Sequence, residues 1–447
     1  MKQKWIYAGL VASLMSLYGC GQPEESVTNE SDTPGNIYEV NVRQYTPEGS
    51  FKAFQQHLPR LKQMGVEMLW FMPVTPISVE DRKGSLGSYY AVADYKGVNP
   101  EFGNLSDWKA LVKAAQAQGM KVIVDWVANH TGADNHWLKS HPDFFIKDST
   151  GNAVYAFDWS DTRDLDYDNM ELQDSMIAAM QFWIDETGID GFRCDVAGEV
   201  PTAFWQKAIP AIRAKSKKNL FFLAEGEKPE LIEAGFNASY AWKPFHAMVS
   251  IAKGEKSALL LDTVLAQQVI EFPADGKFLY FTSNHDENSW NGSDYETFPG
   301  KKHAPFAVLT QTLPNGIPLV YSGQEEPVLR AIPFFEKDTI PFKAYQRAPM
   351  YKKLQELRKQ QRALFEKGSF DKIAIGDANL VYAFSRKHEG KEVIVFTNLS
   401  DAAQNIHLEN EIPQAKYHEV FTNEKIDFKG HFDLHLEPWS YKIYVKQ

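Results

Sequence analysis

The stretch Gly188-Ile189-Asp190-Gly191-Phe192-Arg193-Cys194-Asp195 decides how this chain folds. A helical pattern over about residues 172–186 precedes it, Gly188 stops that helix, and residues 189–194 read as a strand. The strand ends in a carboxylate. Side chains two apart in a strand share a face, so Arg193 and Asp195 point together and Cys194 points away. A cation fixed beside an acid favours its ionised form. Alone, such a pair also serves as an ordinary structural ion pair, so its meaning depends on the rest of the chain.

The same helix-then-strand unit recurs in both directions. Strand patterns fall at residues 37–42, 66–71, 120–124, 189–194, 220–224, 277–282 and 317–321, with a weaker one near 236–240. Helical patterns cover residues 51–64, 107–118 (capped by Ser106), 172–186, 202–215, about 258–270, 305–313 and 350–364. Eight alternations predict an α/β chain, a (β/α)8 TIM barrel over residues 37–366. A doubly wound open sheet is the competing class, but no Gly-rich phosphate loop follows the first strand. Two connections are long, residues 72–106 and 126–169, the second a short loop insertion. Loops at the C-terminal ends of barrel strands are where substrate sites are built. Residues 367–447 change texture to short strand runs between charged and glycine turns, which predicts a small C-terminal antiparallel β domain, a β-sandwich.

The formal net charge is −11 and no basic run exceeds pairs such as Lys352-Lys353, which argues against nucleic acid as a partner. Residues 1–20 carry Lys2 and Lys4, then an uncharged, mostly apolar run too short to span a bilayer, then Cys20. This resembles a bacterial lipoprotein signal in which Cys20 is lipidated. The expectation is export with a lipid anchor to a bacterial membrane, plain secretion being the alternative. Residues 21–36 read as a flexible tether. Cys194 is the one other cysteine, so a lipidated Cys20 leaves no disulfide. Cys194 itself reads as a small buried residue facing away from the site.

Under the barrel reading, four strand ends carry acids: Asp125, Asp195, Glu225 and Asp286. Asn129, His130, Arg193, Asn284 and His285 accompany them. Like charges crowded at one mouth of a barrel cost stability, so the set points to function rather than packing.

The runs Asp125-Trp126-Val127-Ala128-Asn129-His130, Gly191-Phe192-Arg193-Cys194-Asp195, Phe222-Leu223-Ala224-Glu225 and Ser283-Asn284-His285-Asp286 resemble, in order, the four signature regions of the α-amylase family of retaining glycoside hydrolases. The segments at residues 88–103, 164–166, 188–190 and 316–325 resemble that family too. The resemblance implies that Asp195 is the nucleophile and Glu225 the acid/base, with Glu225 holding a proton at rest and Arg193 keeping Asp195 ionised. It implies that Asp286 binds ring hydroxyls and stabilises the distorted sugar. His130 and His285 would hydrogen-bond the same sugar, Tyr90 would stack on it, and Asp125 would orient Arg193. Glu227 is a rival for the acid role, disfavoured by strand alternation.

The chain departs from the family where Gly198 and Glu199 replace a Lys-His pair that elsewhere binds sugar and helps hold a structural calcium. Asn129 alone matches a calcium ligand. The expectation is a calcium-poor or calcium-independent enzyme. The expected activity is α-1,4 hydrolysis of starch or maltodextrin by a monomer, with α-glucosidase, cyclomaltodextrinase or glucanotransferase as alternatives. A non-catalytic glucan-binding protein is the reading from another class, disfavoured because Asp195, Glu225 and Asp286 are all present. Trp137, Trp159, Trp242 and Trp290 are candidate sugar platforms in or near strand-end loops.

Overall fold

The computed structural model describes residues 33–365, 368–373 and 375–447. The signal, and the tether up to residue 32, lie outside the described residues. The tether reading extends too far into the fold. Asn36 is buried, its amide donating to Gly65 O at 2.9 Å and its Oδ1 accepting from Glu67 N at 3.1 Å.

Eight parallel strands close into a barrel. They are β1 (Ile37–Val40), β2 (Met68–Phe71), β3 (Lys121–Val127), β4 (Gly191–Asp195), β5 (Phe221–Ala224), β6 (Ala238–Tyr240), β7 (Phe278–Tyr280) and β8 (Gly316–Tyr321). Each pairs with its sequence neighbours, and β1 pairs with β8 to close the ring. The weak sixth strand is a real member of that ring.

The pleat sorts the strand residues into two shells. One set, Tyr38, Leu69, Phe71, Val122, Val124, Phe192, Cys194, Phe222 and Ala224, belongs to the apolar layer shared with helices. The alternate set, with Ile37, Met68, Trp70, Ile123 and Leu223, fills the barrel interior. Toward the C-terminal ends the inward positions turn polar, as Glu39, Asp125, Arg193 and Asp195. Gly191 is needed at the β4–β5 seam. Its φ is +143°, and a Cβ there would lie 1.8 Å from Phe221 O.

Several element boundaries differ from the sequence reading. Residues 51–64 form two helices, α1 (Phe51–Gln55) and α2 (Leu58–Met64), with Gly65 as left-handed cap. The helix α3 (Leu105–Ala117) is capped by Asn104, whose side chain accepts from Ser106 N and Asp107 N, rather than by Ser106. The third strand does not stop at Asp125. Its ladder with β4 continues through Asp125↔Arg193 to Val127↔Asp195. A helix over Trp242–Ala252, with a proline in its first turn, precedes the expected one, which spans Leu260–Glu271.

The C-terminal strands form a six-stranded sheet and a two-stranded sheet. Ala383, Ile394, Phe396, Ile406, Leu408 and Leu434 fill the space between them. The other face of the large sheet, with Tyr382, Phe384, Val393 and Val395, shares one core with Leu261, Phe306 and Leu354 of the barrel helices. Tyr382 also donates to Asp262 at 2.7 Å.

Candidate active site

Strand register places Asp195 and Glu225 side by side. Cys194 pairs with Ala224, so the next residue on each strand emerges at the same level. Neighbouring strands lie about 4.8 Å apart. Both acids line one cavity of about 600 Å³ at the C-terminal mouth of the barrel, with Tyr90, His130, His285 and Asp286. Of the eight residues singled out from sequence, Asp125 and Arg193 are the two beneath that cavity.

Arg193 is fully buried and organises the floor. Its Nη1 donates to Asp125 Oδ1 and to Asp195 Oδ1, each at 2.9 Å. Its Nε donates to the Tyr240 hydroxyl at 3.1 Å. Its Nη2 lies 2.8 Å from Glu225 Oε1, but makes no aligned hydrogen bond there. The ring of Trp70 lies 5.0 Å from the guanidinium carbon, adding a cation–π contact. Asp125 is pinned from its other oxygen by Trp70 Nε1 at 3.1 Å and the Tyr90 hydroxyl at 3.0 Å.

One guanidinium thus serves three carboxylates. Burial, and next the charge of Glu225, push the Asp195 carboxyl well above the usual carboxylate range, with Arg193 opposing. Arg193 makes the expected contact with Asp195, and shares its charge with Asp125 and Glu225. Asp125 is also raised, by burial first, against the pull of Arg193.

Glu225 Oε2 accepts from Val196 N at 2.7 Å. Val196, directly after Asp195, has φ +35°, a left-handed conformation that a β-branched residue rarely adopts. Strain of this kind persists where the surroundings enforce it, and here it aims a backbone N–H at the second acid. Glu227 takes no part in this arrangement. It accepts from Lys243 N at 2.9 Å, and burial raises its carboxyl to about 7.

On the opposite wall, Asp286 follows Asn284, whose side chain caps a one-turn helix by accepting from Asp286 N and Glu287 N. His285 Nε2 lies 3.2 Å from Asp286 Oδ2 and 2.8 Å from the Tyr90 hydroxyl. Burial raises the Asp286 carboxyl, but the charge of His285 overrides it, and the net direction is downward. Tyr90 stacks on His285 with ring centres 5.4 Å apart. Burial lowers the His130 imidazole to about 3, so it is neutral. Asn129 Nδ2 faces His130 Nδ1 at 3.4 Å, and His130 Nε2 is buried without a protein partner. That arrangement leaves an Nε2–H available to a ligand hydroxyl.

Three contributors were not anticipated. Glu39 on β1 meets His285 Nδ1 at 2.5 Å. Phe334 and Phe335 reach the cavity from the connection after β8. Phe335 O accepts from Leu86 N at 3.0 Å, which ties that connection to the loop after β2. The tryptophans divide. Trp159 and Trp290 line the cavity, Trp290 being 56% exposed. Trp137 is buried against Tyr95 and Phe144, and Trp242 packs on Tyr240 and Phe281.

Among the described residues no group of three or more His, Cys, Asp or Glu side chains is placed to hold a metal ion. Asn129 turns its amide nitrogen, a donor, toward Asp164 and His130. Glu199 lies 3.6 Å from Lys228 Nζ, whose ammonium also donates to Gly198 O.

A family model for the α-amylase catalytic domain matches residues 26–159 and 146–222, and a model for the α-amylase SusG C-terminal domain matches residues 381–441. Alpha-amylase MalA of Haloarcula japonica is 28% identical over 305 residues, covering 65% of this chain and 43% of that protein. The chain therefore spans less than half the length of that relative. Alpha-amylase 3 of Dictyoglomus thermophilum is 25% identical over 456 residues, covering 85% of this chain and 87% of that protein. The crystal structure of a noncanonic maltogenic α-amylase, AmyB from Thermotoga neapolitana, superposes with a TM-score of 0.83 at 28% identity. It covers 92% of this chain and 98% of that one.

Proposed function

Because the chain belongs to the α-amylase family of glycoside hydrolases, we propose that it cleaves α-1,4-glucosidic bonds of starch or maltodextrins with retention of configuration. The observation that carries the proposal is the placing of Asp195 and Glu225 on adjacent strands around one guanidinium. Retaining hydrolysis needs two carboxyl groups about 5–5.5 Å apart.

The pair works with one proton between them. Asp195 receives the aligned Arg193 hydrogen bond, which suits a carboxylate. Glu225 has a charge contact with Arg193 at Oε1 and accepts from Val196 N at Oε2, and to it we assign the acid/base role. In the first step Asp195 Oδ bonds to the anomeric carbon while the glycosidic C–O bond breaks. The Glu225 proton passes to the departing oxygen. In the second step water attacks the same carbon, Glu225 takes a proton from it, and the ester to Asp195 breaks. The sugar at the cleavage point sits on Tyr90, with His130, His285 and Asp286 at its hydroxyls. Trp159 on one wall and Trp290, Phe334 and Phe335 on the other offer aromatic faces to neighbouring sugar units. A volume near 600 Å³ falls within the range of small-ligand sites.

A product profile on starch, maltotriose, cyclodextrin and pullulan tests the substrate reading. Release of α-configured maltooligosaccharides from starch supports it. Release of the β-anomer, or none, rejects it. We also propose that the protein is exported as a lipid-anchored monomer through Cys20, on the strength of the N-terminal pattern. Loss of radiolabelled palmitate incorporation in Cys20→Ser tests the anchor.

A further inference from the structure

Glu39 is a carboxylate at zero exposure on the inner face of β1, and none of the steps above uses it. It is out of place as a core residue, because a buried acid costs free energy unless it is paired. Among the described residues the one partner of its carboxylate is His285, Oε1 to Nδ1 at 2.5 Å, while its Oε2 is buried without a partner.

The consequence is read from the far side of the imidazole ring. His285 Nε2 faces two oxygens, the Tyr90 hydroxyl at 2.8 Å and Asp286 Oδ2 at 3.2 Å. Asp286 can only accept when ionised, so Nε2 must carry hydrogen. The Tyr90 hydroxyl then accepts from Nε2–H and donates its own hydrogen to Asp125 Oδ2 at 3.0 Å. Asp125 in turn holds Arg193, which holds Asp195. A connected hydrogen-bond network therefore links Glu39 through His285, Tyr90, Asp125 and Arg193 to Asp195, with His285 and Arg193 donating on both sides and Asp125 accepting on both. Glu39, standing at Nδ1, accepts the imidazole's other hydrogen.

We infer that Glu39 is a positioning residue that keeps His285 a double donor, presenting Nε2–H to Asp286 and to the Tyr90 hydroxyl, the two groups that meet the bound sugar. The inference rests on the glucan-hydrolase reading for the sugar, and on the geometry alone for the imidazole.

The charged and titratable groups facing His285 are Glu39 from β1, Tyr90 from the loop after β2, Asp125 from β3, Arg193 from β4, and, from its own one-turn helix, Asp286 and Glu287. Burial pulls the imidazole down, but Asp286 and Glu39 together raise it well above its ordinary value. A raised imidazole stays protonated through neutral pH and loses its proton only as pH rises further. Removing the Glu39 charge lowers that point, so the alkaline limb of activity moves toward acid.

The test uses the full chain and two readouts. In Glu39→Gln, kcat on maltotriose falls about 10- to 100-fold with little change in KM. The alkaline limb of kcat/KM shifts acidward by about one pH unit or more, and Glu39→Asp restores the wild-type limb. Histidine ¹⁵N NMR, with His285 identified by the signal missing in His285→Asn, reads the imidazole without turnover. The wild type shows both nitrogens protonated from pH 6 to 8, and Glu39→Gln shows a titration inside that range. A neutral His285 in the wild type at pH 7 overturns the inference even if no variant folds. A Glu39→Gln enzyme with the wild-type pH profile and imidazole signals overturns it as well. A wild type inactive on every glucan rejects the hydrolase reading, and the NMR measurement still decides Glu39.

Discussion

Arg193 Nη1 donates to Asp195 Oδ1 at 2.9 Å from a fully buried guanidinium. Three carboxylates share that cation, so removing it leaves buried negative charge without a counter-charge. Arg193→Met therefore lowers kcat by about 10³-fold or more. It also destabilises the fold by about 3–5 kcal/mol. Urea unfolding at pH 7 together with steady-state kinetics checks both. A variant as stable as the wild type contradicts the role given to Arg193.

The raised Asp195 carboxyl has a sign that can be measured. A carboxyl whose folded pKa exceeds its unfolded value favours folding at low pH, and that contribution is lost as pH rises through the folded pKa. Asp195→Asn removes the penalised charge. It is expected to be inactive yet more stable than the wild type by about 1–2 kcal/mol at neutral pH. The gap should close toward pH 4. Thermal unfolding between pH 4 and 8 follows it, and a variant less stable than the wild type at pH 7 refutes the assignment of burial and Glu225 as the cause.

Val196 stores backbone strain beside the nucleophile. Val196→Gly relieves it and should stabilise the protein by about 1 kcal/mol. Because its N–H anchors Glu225, the looser backbone should also lower kcat. Denaturant unfolding and kcat on maltotriose are the two readouts, and unchanged values in both would falsify the strain argument.

The two classes of tryptophan separate in the same way. Trp159→Ala and Trp290→Ala are expected to raise KM for maltooligosaccharides about 10-fold each, with Tm held within a few degrees. Trp137→Ala is expected to cost about 3–5 kcal/mol of stability, because its ring is buried among Tyr95 and Phe144. Exchange of these two behaviours would show the wall residues to be misassigned.

Much of this was legible in the sequence because the barrel places its acids at strand ends, where an apolar run stops and a polar residue begins. Asp195, Glu225 and Asp286 stand out for that reason. Glu39 does not, since an acid alternating with apolar residues in a strand reads as a solvent-facing position, and only ring closure turns that face inward. Asp125 reads as the end of its strand, because the apolar run over residues 120–124 stops there. Its ladder continues because Arg193 lies directly across from it. Phe334 and Phe335 carry no local signal, as residues 322–347 have no regular pattern and reach the cavity through contacts with the loop after β2. The left-handed Val196 could not be anticipated either, because nothing in its own side chain favours that conformation.

The rival acid offers a sharp comparison. Glu227→Gln should keep activity within about three-fold, and Glu225→Gln should lose about 10³-fold or more. Equal losses in the two, measured on starch at pH 6, would return the acid role to dispute.

The central claim is that Asp195 forms a covalent bond to the anomeric carbon. A 5-fluoro-α-glucosyl fluoride, which slows the second step, should leave the enzyme carrying one added hexosyl unit by intact-mass measurement. Peptide mapping should place it on Asp195. An adduct on Glu225 or Asp286, or turnover of the reagent with no adduct and release of the β-anomer, would contradict the account.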